Sequence, residues 1–420
     1  MRRVFSFAVV LCAWTVPAAA QSLTIARAVD EAVQHNLSLL AGRSQLTIAE
    51  AQMIGARLRP NPVVSFSADH LDVLGTGFDE ANNGGPPEIA WRIDVPFERG
   101  GKRDARVALA SVVRSVAEAQ FAEAVRTLKQ DVTLACIDVL AAQATRSLAS
   151  DTLRTYEDLA RVNRARVSAG SIAPFEATRS EVAMLQFRAT VVRADLEVAA
   201  ATAKLRTLIG RPPGAPLEMT DSLRGAGAAP NALTPDGLDA LAMAARADLR
   251  AMQLAQARSV ADLRLQEALG RVDYTIGAEY RRQQGVAGRS NSLGVFVSAP
   301  LPISNRNQGE IARASAEREQ ADRQIAARKA QISADVRSAL HEYETTRDLV
   351  AAIERELLAP AAHARDVSAY TYKAGGTTLL ELLDAQRAFN DTMQSYVEAQ
   401  AGLRRAIARL NAAVGTEVAQ

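Results

Sequence analysis

The sequence predicts a mainly α-helical chain with a transmembrane β-barrel contribution of four strands. Three observations predict it. The chain states a long pattern twice at one constant offset, which carries Gly170 onto Gly375, Glu176 onto Glu381 and Leu208-Ile-Gly210 onto Ala413-Val-Gly415. Two stretches of about 60 residues, ending at Gly170 and Gly375, are almost free of proline and glycine; at ~1.5 Å per residue each is a rod of roughly 90–100 Å. Ahead of each rod stands a pair of segments with period-two alternation. Repetition on this scale fixes the architecture before any local reading.

The N-terminus reads as a secretory signal. Arg2 and Arg3 form its basic region, residues 5–16 its apolar stretch, and Ala18-Ala19-Ala20 its cleavage site. Cys12 follows Leu11 rather than a small residue, so it belongs to the apolar stretch and not to a lipid-attachment site. The expected divisions are a signal peptide over 1–20, a first repeat over 21–210, a linker over 211–232 and a second repeat over 233–420.

Each repeat has the same order. The first opens with Leu23-Thr24 and a helix running to about Leu58, with Thr24 as N-cap and Ala28, Val29, Ala32 and Val33 at helical spacing. Arg59-Pro60-Asn61-Pro62 ends it. Val64, Phe66 and Ala68 then alternate with Ser65, Ser67 and Asp69; after a turn-rich stretch, Ile89, Trp91, Ile93, Val95 and Phe97 alternate with Ala90, Arg92 and Asp94. The second repeat begins with a helix over 233–269. Tyr274, Ile276, Ala278 and Tyr280 alternate with Thr275, Gly277 and Glu279, and Leu293, Val295 and Val297 with Gly294, Phe296 and Ser298. A proline-marked turn leads into each rod, and Pro360 should kink the second.

Composition excludes several classes. Removing 1–20 takes away two positive charges and no negative ones, so the formal charge falls from +2 to 2 − 2 = 0. No basic patch points to nucleic acid. The mature chain keeps one cysteine, Cys136, and cannot form an internal disulfide. Beyond the signal, no stretch of about 18 uninterrupted apolar residues suggests a transmembrane helix. The four histidines, His35, His70, His341 and His363, are scattered, so no metal site is expected, and neither a catalytic constellation nor a cofactor motif stands out.

The strands are long enough to cross a bilayer when tilted, apolar on one face and polar on the other. Four strands with open edges cannot sit in hydrocarbon. Two chains would give a barrel filled by its own side chains, whereas three give twelve strands and an open bore. A homotrimer is therefore expected.

At these residues a resemblance enters. The repeat plan and Gly375-Gly-Thr-Thr-Leu-Leu-Glu-Leu-Leu-Asp-Ala385 resemble the TolC family of outer-membrane efflux proteins over essentially the whole mature chain. Pro96-Phe-Glu-Arg-Gly-Gly-Lys-Arg103 and Pro302-Ile-Ser-Asn-Arg-Asn-Gln308 resemble the branch serving heavy-metal efflux pumps. The resemblance implies a TolC-like trimer with a shared 12-stranded barrel and a periplasmic helical tunnel, in the outer membrane of a Gram-negative bacterium. It implies a passive exit duct rather than an enzyme. Partners would be a periplasmic adaptor and an inner-membrane pump of the resistance-nodulation-division type. The expected cargo is divalent metal cations, with organic toxicants as the alternative cargo and a soluble coiled-coil adaptor as the competing class.

Glu381 and Asp384 stand three apart on one helix face, at the place where the family carries an acidic pair lining the tunnel constriction. In a trimer they would form rings of carboxylates that attract cations, with Glu176 as the first-repeat counterpart. Some family members carry a basic latch residue where this chain has Thr377, so a salt-bridge latch is not expected. Gly170 and Gly375, with Ile172, Phe175, Lys373, Leu379 and Leu380, are expected to form a partly apolar docking tip for the adaptor. Trp91, Phe97, Tyr274 and Tyr280 are expected in aromatic girdles at the membrane interfaces.

Overall fold

The structure is a computed structural model describing residues 22–71, 73–75, 87–225, 234–285 and 288–419. The expected signal peptide, most of the first strand-pair loop and the end of the expected linker lie outside the described residues.

Helices α1 (Ile25–His35) and α2 (Leu37–Arg57) lead into strands β2 (Val63–Asp69) and β3 (Glu88–Phe97), then α3 (Lys102–Ser168) and α4 (Pro174–Ile209). The order returns with α5 (Pro235–Ala245), α6 (Ala247–Leu269), β5 (Tyr274–Gly285), β6 (Gly288–Ser298), α7 (Gln308–Ala352), a π-helical segment (Ile353–Leu357), α8 (Leu358–Lys373) and α9 (Leu379–Val414). Two short strands, β1 (Ser22–Leu23) and β4 (Glu218–Met219), pair in parallel. The 67 residues of α3 make a rod of ~100 Å.

Each expected opening helix is in fact two. Asn36 takes extended backbone between α1 and α2; its Oδ1 accepts from the Leu39 N–H at 2.9 Å, and its Nδ2 donates to the Leu208 carbonyl at 2.8 Å. Between α5 and α6, Arg246 is buried and forms a bidentate bridge to Asp248 at 3.0 and 2.7 Å while donating to the Ala413 carbonyl at 3.2 Å. A charge this deep is tolerated only because it is paired and hydrogen-bonded. Residues 211–225 are not a free tether. Arg211 bridges Glu31 at 2.6 and 2.7 Å, the Asp221 carboxylate accepts from the Ile25 N–H, and Met219 and Leu223 are buried with Leu23.

Packing divides into three clusters. One joins α1, α3 and α4 around Val132, Ile137, Leu205 and Ile209; it encloses Cys136, whose thiol is pushed up to about 12 by burial and the nearby Asp221 charge. A second joins α5, α6, α7 and α9 around Leu249, Ile332, Tyr343 and Leu410. The third lies at the far helical end, around Tyr156, Ala183, Tyr372, Leu379, Leu382 and Leu383. One window of α3 is long and apolar enough to cross a membrane by composition, but its buried residues are used in packing.

The interruption expected at Pro360 falls upstream of it. Pro360 has no N–H for the carbonyl four residues back, and the helix widens over Ile353–Leu357. A π turn adds one residue. The buried stripe Ile332, Val336, Ala339, Tyr343, Val350 and Ile353 therefore resumes at Leu358 and continues to Ala369 and Tyr372. Leu357 and Val367, which an unbroken helix would turn inward, are exposed.

Strands β2-β3-β5-β6 form one antiparallel sheet in that order. Phe66, Trp91, Tyr280 and Leu293 lie in one cross-strand row; Val64, Ile93, Ala278 and Val295 lie in the next on the same face. Within the described chain, β2 and β6 are open edges.

Candidate functional site

At the far helical end both hairpins turn by the same device. The Ser171 N–H donates to Arg166 O at 2.9 Å and the Gly170 N–H to Val167 O at 2.9 Å; the Gly376 N–H donates to Thr371 O at 2.8 Å and the Gly375 N–H to Tyr372 O at 3.2 Å. Gly170 and Gly375 have φ of +70° and +79°, the left-handed conformation that such a helix ending requires. Space around both is open, so the dihedral and not crowding selects glycine.

Glu381 has a local structural task that the sequence reading did not assign. Thr378 caps α9, and the two residues form a reciprocal capping box: the Glu381 N–H donates to Thr378 Oγ1 at 3.3 Å and the Thr378 N–H donates to Glu381 Oε2 at 2.9 Å. That N–H, with the Thr377 and Thr378 hydroxyls, holds the Glu381 carboxyl below its ordinary range. Asp384 is exposed one turn on, 3.9 Å from Arg387 Nη1. Leu379, Leu382, Leu383 and Gln386 face inward, which puts Glu381 and Asp384 on the opposite side of α9. Glu176 occupies the corresponding turn of α4 and is half-buried, but Ala173 stands where Thr378 stands in the second half, and no side chain caps α4.

The expected docking tip needs one correction. Leu379 is 3% exposed and belongs to the tip's own core, so it presents no docking surface. Gly170, Gly375 and Lys373 are exposed and Ile172 is half-buried. The prominent apolar side chain there is Phe175, 71% exposed.

Residues the sequence reading left without a role join the two hairpins. The Tyr372 hydroxyl donates to Asn163 Oδ1 at 2.7 Å in a buried contact. Arg166, at the end of α3, donates to the Tyr372 and Lys373 carbonyls at 3.4 and 3.0 Å, and its guanidinium lies 5.1 Å over the Tyr372 ring. It thereby satisfies the Lys373 carbonyl at the C-terminus of α8 and gives a second donor to the Tyr372 carbonyl, which already accepts from the Gly375 N–H. Burial raises the Tyr372 phenol, with Arg166 opposing and Glu176 adding. Asn163 Nδ2, Asn390 Nδ2 and Tyr156 Oη are buried with no hydrogen-bond partner among the described residues. A signal was present in the sequence: Tyr372 stands where the first half has Val167. The hairpins differ where they touch.

At the sheet, one face is apolar and exposed. Trp91 and Tyr280 are cross-strand partners, as are Phe97 and Tyr274 six residues along, and all four are 40–55% exposed. The opposite face is polar and internally paired. Arg281 bridges Glu88 at 3.0 Å and Glu279 at 2.9 Å; Arg92 bridges Asp94 at 2.9 Å and lies 4.4 Å over Phe296. Where the sheet meets the helices, Lys102, buried at the start of α3, bridges Asp273 at 2.7 Å, and Arg106 is paired with Glu98. Burial alone would raise the Asp273 carboxyl, but Lys102 and the Arg99 N–H together bring it below its ordinary value. Among the described residues no group of three or more His, Cys, Asp or Glu side chains could hold a metal ion.

A 100 Å helical body ending in a sheet with one lipid-type face agrees with what known proteins share with this chain. The profile of outer membrane efflux proteins matches residues 28–211 and 238–416. The chain belongs to the outer membrane efflux protein family. Among relatives of this efflux protein, the cobalt-zinc-cadmium resistance protein CzcC of Cupriavidus metallidurans is 26% identical over 380 residues, covering 88% of this chain and 84% of the relative. The solved structure of CusC has a TM-score of 0.76 at 17% identity, covering 93% of this chain and 92% of that one. The CmeC outer membrane channel of Campylobacter jejuni has a TM-score of 0.78 at 11% identity, covering 94% and 86%. The fold is TolC-like, and the efflux protein resides in the outer membrane.

Proposed function

We propose that this outer-membrane efflux protein is the exit duct of a tripartite pump, a homotrimer that passes divalent metal cations without chemistry of its own. The observation that carries the reading is the four-stranded sheet with an exposed apolar face, a polar face and two open edges. Unpaired edges cost several kcal/mol per backbone group in hydrocarbon, so β6 of one copy must meet β2 of the next.

The helices support the same closure independently. α3 packs on α4 and α9, and α9 packs on α8, which makes α4 and α8 the lateral edges. Val182, Leu185, Val192 and Leu196 are 51–66% exposed on α4 at heptad spacing; Leu357, at the end of the π-helical segment, and Val367 on α8 are exposed as well. An apolar seam at 3.5-residue spacing asks for a helical partner. Different surfaces on opposite edges give a head-to-tail contact, which closes into a ring.

In this reading residues 1–20 are a cleaved signal, 21–210 and 233–420 are the two repeats, and 211–232 connect them. Glu381 and Asp384, with Glu176 behind them, bias the constriction toward cations. Gly170, Gly375, Ile172, Lys373 and Phe175 present the tip to a periplasmic adaptor, which links the duct to an inner-membrane pump of the resistance-nodulation-division type. Trp91, Tyr280, Phe97 and Tyr274 form the two girdles. CzcC, named for cobalt, zinc and cadmium resistance, supports the cargo class.

The test is twofold. Purified chain should behave as a trimer and open cation-preferring pores in planar bilayers; a soluble monomer would refute the duct. Cells deprived of it should accumulate zinc, cobalt or cadmium; unchanged metal content with raised sensitivity to organic toxicants would transfer the cargo to that class.

A further inference from the structure

Two arginines on the outward face of the sheet have no carboxylate partner among the described residues. Arg282 continues the row of Tyr274, Ile276, Ala278 and Tyr280, and Arg289 opposes Gln284 on the same face. Both are exposed. Their surroundings make them unusual. Arg281, one residue away on the polar face, is bridged twice; Arg92 is bridged by Asp94; Arg99, at the helical end, lies 4.6 Å over the Tyr274 ring.

This inference rests on the duct reading, which sets the height of these residues. The strand ends at Phe97, Tyr274 and Ser298 lead toward helices, so the opposite end, at the Gly285–Gly288 pair, faces the exterior. From Tyr274 to Arg282 is eight residues, about 27 Å along a strand and roughly 20 Å in height at the usual tilt. The Arg289 row lies two residues further, at roughly 25 Å. Since the apolar band of such barrels is about 25 Å tall, both arginines stand at its outer boundary, just beyond the Trp91–Tyr280 row. They are also close to each other. Arg282 is the direct partner of Asn291, so Arg289 is its diagonal neighbour, about 7–8 Å away. Two guanidinium forks at that spacing can clasp one phosphate.

We propose that Arg282 and Arg289 form a binding site for the phosphate of an outer-leaflet lipid headgroup, at the lipid-facing rim of the barrel. The acyl chains would lie along the apolar face below.

The test uses the purified full-length trimer in detergent, titrated by native mass spectrometry with bisphosphorylated lipid A, its dephosphorylated form and inorganic phosphate. Phosphorylated lipid A should bind at least about tenfold more tightly than the dephosphorylated form, the factor for one charge-assisted hydrogen bond. The R282A/R289A variant should lose at least that factor, R282K/R289K should lose less, and R281A should match the parent. Equal binding by R282A/R289A and the parent overturns the site; inorganic phosphate binding as tightly as the lipid overturns the lipid assignment. If the alanine variant does not assemble, the lysine variant and the dephosphorylated lipid decide. A parent chain that never forms trimers sinks the duct reading instead.

Discussion

Replacing Tyr372 with Phe and Arg166 with Ala together should open the helical tip. Tyr372→Phe removes the donor from a 2.7 Å buried bond and leaves Asn163 Oδ1 unsatisfied beside its already unpartnered Nδ2. An orphaned buried polar atom costs about 1–3 kcal/mol. Arg166→Ala removes two donations to the end of α8 and a contact with the Tyr372 ring. For a half-exposed arginine these are worth about 1–2 kcal/mol together. The two changes share Tyr372, so they do not add fully, and about 2–3 kcal/mol per chain is the expected loss. At ~1.4 kcal/mol per factor of ten, this shifts the balance between joined and separated hairpins by roughly 30- to 140-fold.

The assay is single-channel recording in planar bilayers, with heat denaturation in parallel. The double variant should show long-lived high-conductance openings that are rare in the parent. Arg164→Ala is the control, because its bridge to Glu181 at 2.6 Å stays within the first hairpin. A variant that melts earlier but conducts like the parent would overturn this expectation. The contacts would then hold the fold together without holding the tip shut.

Four further outcomes follow. Glu381→Gln with Asp384→Asn should reduce cation preference and change conductance while leaving α9 capped, since glutamine can serve in the same box; unchanged selectivity in bilayer recordings would remove both residues from the constriction. Thr378→Ala should lower stability by about 1 kcal/mol in denaturant unfolding, because it removes the cap of α9. The Glu381 carboxyl is held below its ordinary value, so its contribution is present at neutral pH and lost as the pH falls through that lowered value; Glu381→Gln should flatten this acid limb of a stability–pH profile. Lys102→Met should leave Asp273 without its bridge and cost about 1–3 kcal/mol where sheet joins helix, read as a lower midpoint of thermal unfolding.

The strand faces were legible because period-two alternation in the sequence is the register of the sheet. The row of Phe66, Trp91, Tyr280 and Leu293 could be read almost directly. The long helices were legible from the absence of proline and glycine. The breaks at Asn36 and Arg246 were not, because the groups that stabilise them, the Leu208 and Ala413 carbonyls, lie more than 160 residues away in sequence. Leu379 looked exposed beside a glycine turn, yet it lies in a buried cluster that includes Tyr156 and Ala183 of the other hairpin. The carboxylates near Gly375 could be found by position, but the capping role of Glu381 depended on recognising Thr378 as the cap. Asn163 gave no local signal.

The two halves differ where motion would be needed. α3 runs unbroken for 67 residues and packs along α2, α4, α6 and α9. The corresponding rod of the second half is interrupted by the π-helical segment and Pro360, and below that interruption α8 packs mainly on α9. A π turn is costly to keep inside a long helix and tends to mark a functional site. Here it restores the inward face of α8, so that Tyr372 arrives opposite Asn163. The same extra residue makes Ile353–Leu357 the place where the rod departs from α-helical geometry. If the cross-hairpin contacts at Tyr372 and Arg166 release, α8 and the start of α9 can swing from that point while α3 and α4 stay fixed. A gate built this way needs no change in the first hairpin, and this fits the first hairpin lacking a counterpart to the Thr378–Glu381 box.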